Sequence, residues 1–423
     1  MKPIRVALLS SYDDRGGAAR AALRLHRALP GAGVESRLLV QRRFGSEPGV
    51  DGPRGGLRGA IAAWRPRLDS IPVRFYGGRA PQLFSPSWLP DGTSRRIESA
   101  APDVVHLHWV GFGFVRPETL ARLRAPIVWT LHDSWAFTGG CHLPGSCTRY
   151  RGECGACPAL GSRRDRDLSR WVFARKRRAW RALAPRLVAP SRWIADAARS
   201  SALFRDVPVE VVPNGVDLDR FRPRDRDEAR ERLDLPRDRS VLLFSGLEGL
   251  GDPNKGFDLL EEALAVLAGR GVADRFLLLV VGSDAPRGWA AAPIPVRFAG
   301  RIDDEERLAL HLAAADLVVL PSRSENQPNL VTEAMACARP AVAFRTSGLP
   351  DLVVDRETGY LAEPYRAEDL ADGIVWVTQD PARLRRLGDA ARDRAELEYG
   401  HRRAALRYRD LYEAAVRGAR AAD

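Results

Sequence analysis

Glu325 and Glu333 stand eight positions apart in "SENQPNLVTEA", residues 324 to 334, on either side of a Pro-Asn turn that follows the apolar run "LVVLPS". A junction of strand, turn and helix offers backbone amides and a helix dipole to an anion, here the amides of Asn329, Leu330 and Val331. A carboxylate facing that anion would repel it, so two carboxylates flanking the turn suit neutral groups to either side of the bound charge. Lys255, in "GLEGLGDPNKGFDLLEEAL", precedes a second predicted helix, where a compact cation and a helix dipole together suit a diphosphate. The chain holds only three lysines, Lys2, Lys176 and Lys255, among 66 basic residues, leaving 63 arginines. A lysine at this junction therefore reads as a position that arginine would not serve, with an ordinary surface lysine as the alternative.

Gly16 and Gly17, in "SSYDDRGGAARAALRLHRAL", fall where the first strand passes into a helix, so their amides can meet a phosphate or a sugar. The pattern is not GxGxxG, and a plain Gly-rich turn explains it equally well. "GFG" at 111 to 113 reads as loop. His132 closes the strand "PIVWTLH" beside Asp133, at the rim of a sheet, where a lone histidine is more often structural. His106 and His108 alternate in "VVHLHW" and point to one face, with packing or acceptor-side roles. Four of the five cysteines, Cys141, Cys147, Cys154 and Cys157, crowd into "CHLPGSCTRYRGECGACP". Cys-x2-Cys with two further thiols suits a tetrahedral thiolate site, and a structural zinc is the expected occupant; free thiols, disulfides or an iron–sulfur cluster are the alternatives. Cys337 reads as core.

The elements that must position these groups alternate. Strand-like runs at 4 to 10, 103 to 109, 126 to 132 and 186 to 191 form one series. Runs at 240 to 246, 275 to 283, 296 to 300, 317 to 322 and 340 to 344 form a second, with helical stretches near 256 to 269, 304 to 315 and 329 to 338. Apolar strands separated by helices predict two doubly wound α/β domains with parallel sheets, whose strand ends would surround a ligand cleft. A chain of 423 residues is long enough for two such domains. The turn-rich "VVPNGVDLDRFRPRDRDEAR" from 211 marks the junction. The expected division is 1–212, with a Cys-rich insertion at 141–157, then 213–400, then a helix at 401–423 packing back on the first domain.

The formal charge of +12 invites a nucleic-acid reading, but the arginines are spread along the chain, which resembles a coding habit more than a binding surface. The densest basic run, "RRDRDLSRWVFARKRRAWRAL" from 163, reads as a helix carrying Trp171, Phe173 and Trp180. It is either a solvated face or an interfacial helix touching anionic lipid, near 163–183. No apolar run reaches the length of a membrane span, and the apolar stretch at the N-terminus is short for a signal peptide, so a cytoplasmic protein is expected.

"PSRSENQPNLVTEAMA", "NKGFDLLEEAL", "FAGRIDDEERLALHLAAADLVVLPS", "VVPNGVDLDRF" and the glycine pair together resemble a family 4 glycosyltransferase with the two-domain GT-B fold. The likeness covers most of the chain. The segment "TLHDSWAFTGGC" and the cysteines after it are shared with bacterial enzymes that extend exopolysaccharides, colanic-acid-type enzymes among them. The resemblance implies a retaining transferase that takes a UDP- or GDP-sugar and serves a glycan, lipid-linked or small-molecule acceptor, with no nucleic acid and no divalent metal in catalysis. It implies that Glu333 holds the ribose hydroxyls, that Glu325 reaches the donor sugar and that His132 bonds a sugar hydroxyl. Lys255, Arg301, Gly16, Gly17 and the amides of Asn329, Leu330 and Val331 would then hold the nucleotide diphosphate. Two departures stand out: the family turn is Gly-rich where this one is "NQPN", and Gly246 is followed by Leu247 where the family has arginine. A GT-B phosphorylase, which would need pyridoxal phosphate on a lysine, and a basic zinc-containing nucleic-acid binder are the competing readings. The second leaves the Glu pair unexplained.

Overall fold

The computed structural model describes residues 2–181, 183–246, 251–285 and 292–421. Leu247, and with it the departure read there, lies outside the described residues. The chain forms two compact units, Met1–Gly215 together with Arg402–Asp423, and Val216–His401.

The first unit is built on β1 (Ile4–Tyr12), β2 (Val34–Arg42), β3 (Val50–Asp51), β4 (Val104–Leu107), β5 (Ile127–Thr130), β6 (Arg186–Ala189) and β7 (Val209–Val211), in the spatial order β3-β2-β1-β4-β5-β6-β7. Neighbouring strands pair in parallel, which demands helices on both faces and apolar residues on both sides of each strand. In β1, Val6 and Leu8 enter one core while Ala7 and Leu9 enter the other. The order reverses between β1 and β4, the place where doubly wound sheets open a crevice at their strand ends. The helix His401–Arg420 buries Tyr408, Leu411, Tyr412 and Ala415, spaced to share one face, in the core that contains Val6 and Leu8. There the Tyr412 hydroxyl meets His106 Nδ1 at 2.7 Å and the Tyr408 hydroxyl meets Thr130 Oγ1 at 2.7 Å.

The second unit carries β8 (Ser240–Ser245), β9 (Phe276–Val281), β10 (Val296–Phe298), β11 (Leu317–Leu320), β12 (Ala341–Phe344) and β13 (Gly359–Ala362), ordered β10-β9-β8-β11-β12-β13. Its reversal falls between β8 and β11. Leu242 and Phe244 pack on one face beneath the helices Phe257–Gly269 and Ala367–Thr378, and Val241 and Leu243 on the other.

The strongly apolar runs are strands, as the sequence predicts. β2, β3, β7 and β13 are additions: "VESRLLVQR" interleaves charge with its apolar residues, and the others have two to four residues, so sheet context decides them. The basic run from 163 is a helix over Leu168–Trp180. Phe173 and Trp180 are buried and Trp171 is exposed. Arg170 and Arg177 pair with Glu153, and Arg175 pairs with Glu118 at 2.7 Å, so much of its charge is locally balanced.

Candidate active site

In the second unit the chemistry gathers at the switch point. β8 leads toward the turn Pro253–Lys255, which precedes the helix Phe257–Gly269, and β11 leads into the loop that precedes the helix Asn329–Ala336. The two loops are tied together. Arg323 N–H donates to the Asn254 carbonyl at 2.8 Å, and Asn254 Nδ2 donates to the Ser324 carbonyl at 2.8 Å. The Arg323 guanidinium grips the Asp258 carboxylate at 2.6 and 2.9 Å. Gly256 must be glycine: its φ is +66°, and a Cβ there would lie 2.0 Å from the Pro321 carbonyl oxygen. The result is that Lys255 Nζ stands 2.8 Å from Glu325 Oε1, both side chains still open to solvent in part. A further strut comes from Gly348, whose N–H donates to the Glu325 carbonyl at 2.8 Å. Its own Cβ position is filled by the Asn326 carbonyl, 1.8 Å away.

Glu333 lies one turn into its helix and is 2% exposed, so it is not a solvent-facing glutamate. The N-cap residue of that helix, Pro328, gives it no side-chain cap, and the Val331 amide donates to the Pro328 carbonyl at 3.1 Å. Arg301, just past β10, lies exposed with its Nε 2.8 Å from Asp303.

In the first unit, Gly16 has φ +88° and opens the helix Gly17–Ala28, and a Cβ added there would meet open space. His132, at the end of β5, meets His108 Nδ1 through its Nε2 at 2.9 Å. Burial pulls the His132 imidazole down to about 4 against the opposing pull of Asp133, so it is neutral at pH 7. His106 and His108 are held well below their ordinary value by burial, and His108 Nε2 is buried with no hydrogen-bond partner. Burial pushes the Asp133 carboxyl up, yet the His142 charge and the hydrogen bonds it accepts outweigh this and hold it low. Its Oδ2 receives Trp109 Nε1 and His142 Nδ1, both at 2.5 Å, and His142 Nε2 meets Ser85 Oγ at 2.8 Å. His142 sits beside Cys141 in the Cys-rich segment, and only the fold shows that it braces the residue after His132.

Cys141, Cys147, Cys154 and Cys157 all line one cavity, with Phe84, Tyr150 and Ser169 among its other walls. All four are free thiols. The donor set suits zinc in its chemistry, and Gly139 N–H reaches Cys154 Sγ at 3.2 Å, while burial pushes the Cys154 thiol up to about 12. Among the described residues, however, no three or more His, Cys, Asp or Glu side chains stand as a group arranged to hold a metal ion. Lys176, fully buried next to this segment, donates to the Thr138 carbonyl at 3.1 Å and is pulled down to about 7 by burial. Cys337 is buried core, as read.

The family model for Glycosyltransferase Family 4 matches residues 15–220, and that for Glycosyl transferases group 1 matches residues 239–380. The chain belongs to the family 4 glycosyltransferases. Among similar proteins, D-inositol 3-phosphate glycosyltransferase 2 of Catenulispora acidiphila is 35% identical over 226 residues, 50% of this chain and 52% of that protein. The chain thus spans about half the length of the curated relatives it matches. Sucrose-phosphate synthase from Thermosynechococcus elongatus superposes with a TM-score of 0.70 at 22% identity, over 97% of this chain and 98% of that one. HepE of Anabaena, solved in complex with UDP-glucose, superposes with a TM-score of 0.62 at 18% identity, over 97% and 100%. These likenesses identify the fold as GT-B. A family model on each side of the junction leaves the phosphorylase and nucleic-acid readings without support.

Proposed function

We propose that this protein is a retaining glycosyltransferase that moves a hexose from a nucleotide-diphosphate sugar to an acceptor hydroxyl in the cytoplasm. The observation that carries the reading is the Lys255–Glu325 pair, 2.8 Å apart at the switch point of the second sheet, beside the start of the helix Asn329–Ala336. A cation, helix amides and a carboxylate within one loop pair match a donor with a charged diphosphate and a neutral sugar. The UDP and UDP-glucose complexes of HepE favour a uridine donor. The inositol-phosphate acceptors named for the curated relatives favour a phosphorylated small molecule, beside the glycan or lipid-linked acceptor of surface-polysaccharide synthesis.

In the proposed reaction the bond from the anomeric carbon to the diphosphate oxygen breaks. The acceptor oxygen bonds to that carbon on the same face, and its proton passes to the departing diphosphate. Lys255 and the amides of Asn329 and Leu330 stabilise the leaving charge, Glu325 the sugar as it becomes electron-poor, and Glu333 the ribose. Neutral His132 bonds a sugar hydroxyl. Gly16 and Gly17 leave room for the approach of donor or acceptor. A panel of UDP- and GDP-sugars, followed by nucleotide release with inositol phosphate or a lipid-linked glycan as acceptor, tests the reading. Release from no donor under any pairing defeats it.

A further inference from the structure

The helix Gly56–Asp69 is inside out. Leu57, Ile61, Trp64 and Leu68 follow the spacing of a single helical stripe, all within an arc of about 60° at 100° per residue. Such a stripe normally faces the core. Here these four are 79%, 52%, 55% and 40% exposed, while Gly59, Ala62 and Asp69 are the residues the helix buries. Ile71 and Phe75, the latter 84% exposed, extend the apolar surface beyond the helix end.

Charge gives this surface a direction. From residue 52 to residue 90 the sequence carries six arginines and one acidic residue, Asp69, which is buried. Arg58 projects on one side of the stripe and Arg67 on the other, and Arg67 lies over the Trp64 ring at 4.9 Å, while Arg65 is turned back onto the Gly113 and Pro90 carbonyls at 2.6 and 2.9 Å. Arg74 is exposed next to Phe75. Large apolar and aromatic side chains on one line, with arginines along both margins, match the interface of a bilayer, where the stripe enters the acyl boundary and the guanidinium groups reach the headgroups. A second copy fits worse, because a twofold contact would set this arginine-lined face against itself.

We propose that the surface made by Leu57, Ile61, Trp64, Leu68 and Phe75 docks the protein on an anionic lipid membrane. The lipid contact thereby moves from the basic helix near 163–183, where Trp171 is exposed but Arg170, Arg175 and Arg177 are ion-paired.

The test uses the full chain and co-sedimentation with vesicles of phosphatidylcholine, with and without phosphatidylglycerol, so it reads neither donor nor transfer and stands apart from the proposed activity. The wild type should bind the anionic vesicles and be weakened by salt. Trp64→Ser with Phe75→Ser should lose about tenfold or more in partitioning with an unchanged melting temperature, since both side chains are already in water. Arg58→Glu with Arg67→Glu should remove the salt-sensitive part, and Trp171→Ser should bind as the wild type does. A wild type that ignores both vesicle types overturns the proposal, as does undiminished binding by the double serine variant. So does a wild-type dimer that this variant splits while vesicle binding stays absent.

Discussion

Lys255 and Glu325 neutralise each other at 2.8 Å with both side chains partly in water, and a pair of this kind contributes only about 0–1 kcal/mol to stability. Glu325→Ala should therefore leave the melting temperature almost unchanged. If Glu325 meets the sugar as positive charge develops, the same substitution should lower kcat by roughly 10²-fold, with affinity for the free nucleotide diphosphate barely changed. Glu333→Ala should behave in the opposite way, raising KM for the donor and weakening the nucleotide by calorimetry, because ribose contacts are equal in ground and transition states. Equal losses in both assays for both variants would refute this division of labour. A second prediction follows from His132. Its folded-state value of about 4 lies below the ordinary 6.5, so the unfolded chain takes up the proton first. The contribution of this histidine is complete above pH 6.5 and is lost as pH falls toward 4, by up to roughly 3 kcal/mol. His106 and His108 act in the same direction, while Asp69, raised to about 6 chiefly by burial, opposes them at its own pH. Melting curves of the wild type and His132→Gln from pH 8 to pH 4 cancel the shared groups, and the variant should show the shallower acid decline.

At the scale of elements, the proposed structural zinc has a clear consequence. If the four thiols around the cavity after β5 close on a metal ion, zinc analysis should find about one per chain. Cys154→Ser should then lower the melting temperature far more than it changes donor affinity. A fully stable, metal-free chain with four titratable thiols decides against it. The strands and helices that carry Lys255, Glu325 and Glu333 were legible in the sequence because their apolar runs are dense and their turns are marked by Pro, Asn and Gly. The grip of Arg323 on Asp258 and the close passage of Gly256 past Pro321 were not, since both depend on which loops the sheet order makes neighbours. The same holds for the bond between His108 and His132 and for the tyrosines that reach His106 and Thr130 from the last helix, across more than 270 positions. The helix Gly56–Asp69 marks a different boundary. A 3.6-residue period states which side chains share a face, but only the fold states which face is turned outward.

Across the whole molecule, candidate groups fall at the point where a unit's own strand order reverses, Gly16 and Gly17 in the first and Lys255 and Glu325 in the second, while His132 follows β5, one strand further along the first sheet. The neutralising charge proposed for the donor is thus part of the chain, namely one lysine and a helix start, set in a protein whose formal charge is +12. A divalent ion would need carboxylates held open toward the diphosphate. The acidic pattern "DLD" at 217 to 219 is committed elsewhere, because Asp217 Oδ1 receives the amides of Asp219 and Arg220 at 3.1 and 3.2 Å and so builds a turn. Transfer should accordingly proceed at full rate after chelation and without added Mg²⁺ or Mn²⁺, while Lys255→Ala should lower kcat by roughly 10²-fold through loss of the leaving-group cation. If the cysteines hold zinc, its release must be followed in the same sample, because a drop in rate that tracks loss of that zinc and of the melting transition reports on folding. A rate lost on chelation with zinc still bound, and restored by Mn²⁺ alone, would place a metal at the diphosphate and refute the assignment of that charge to Lys255.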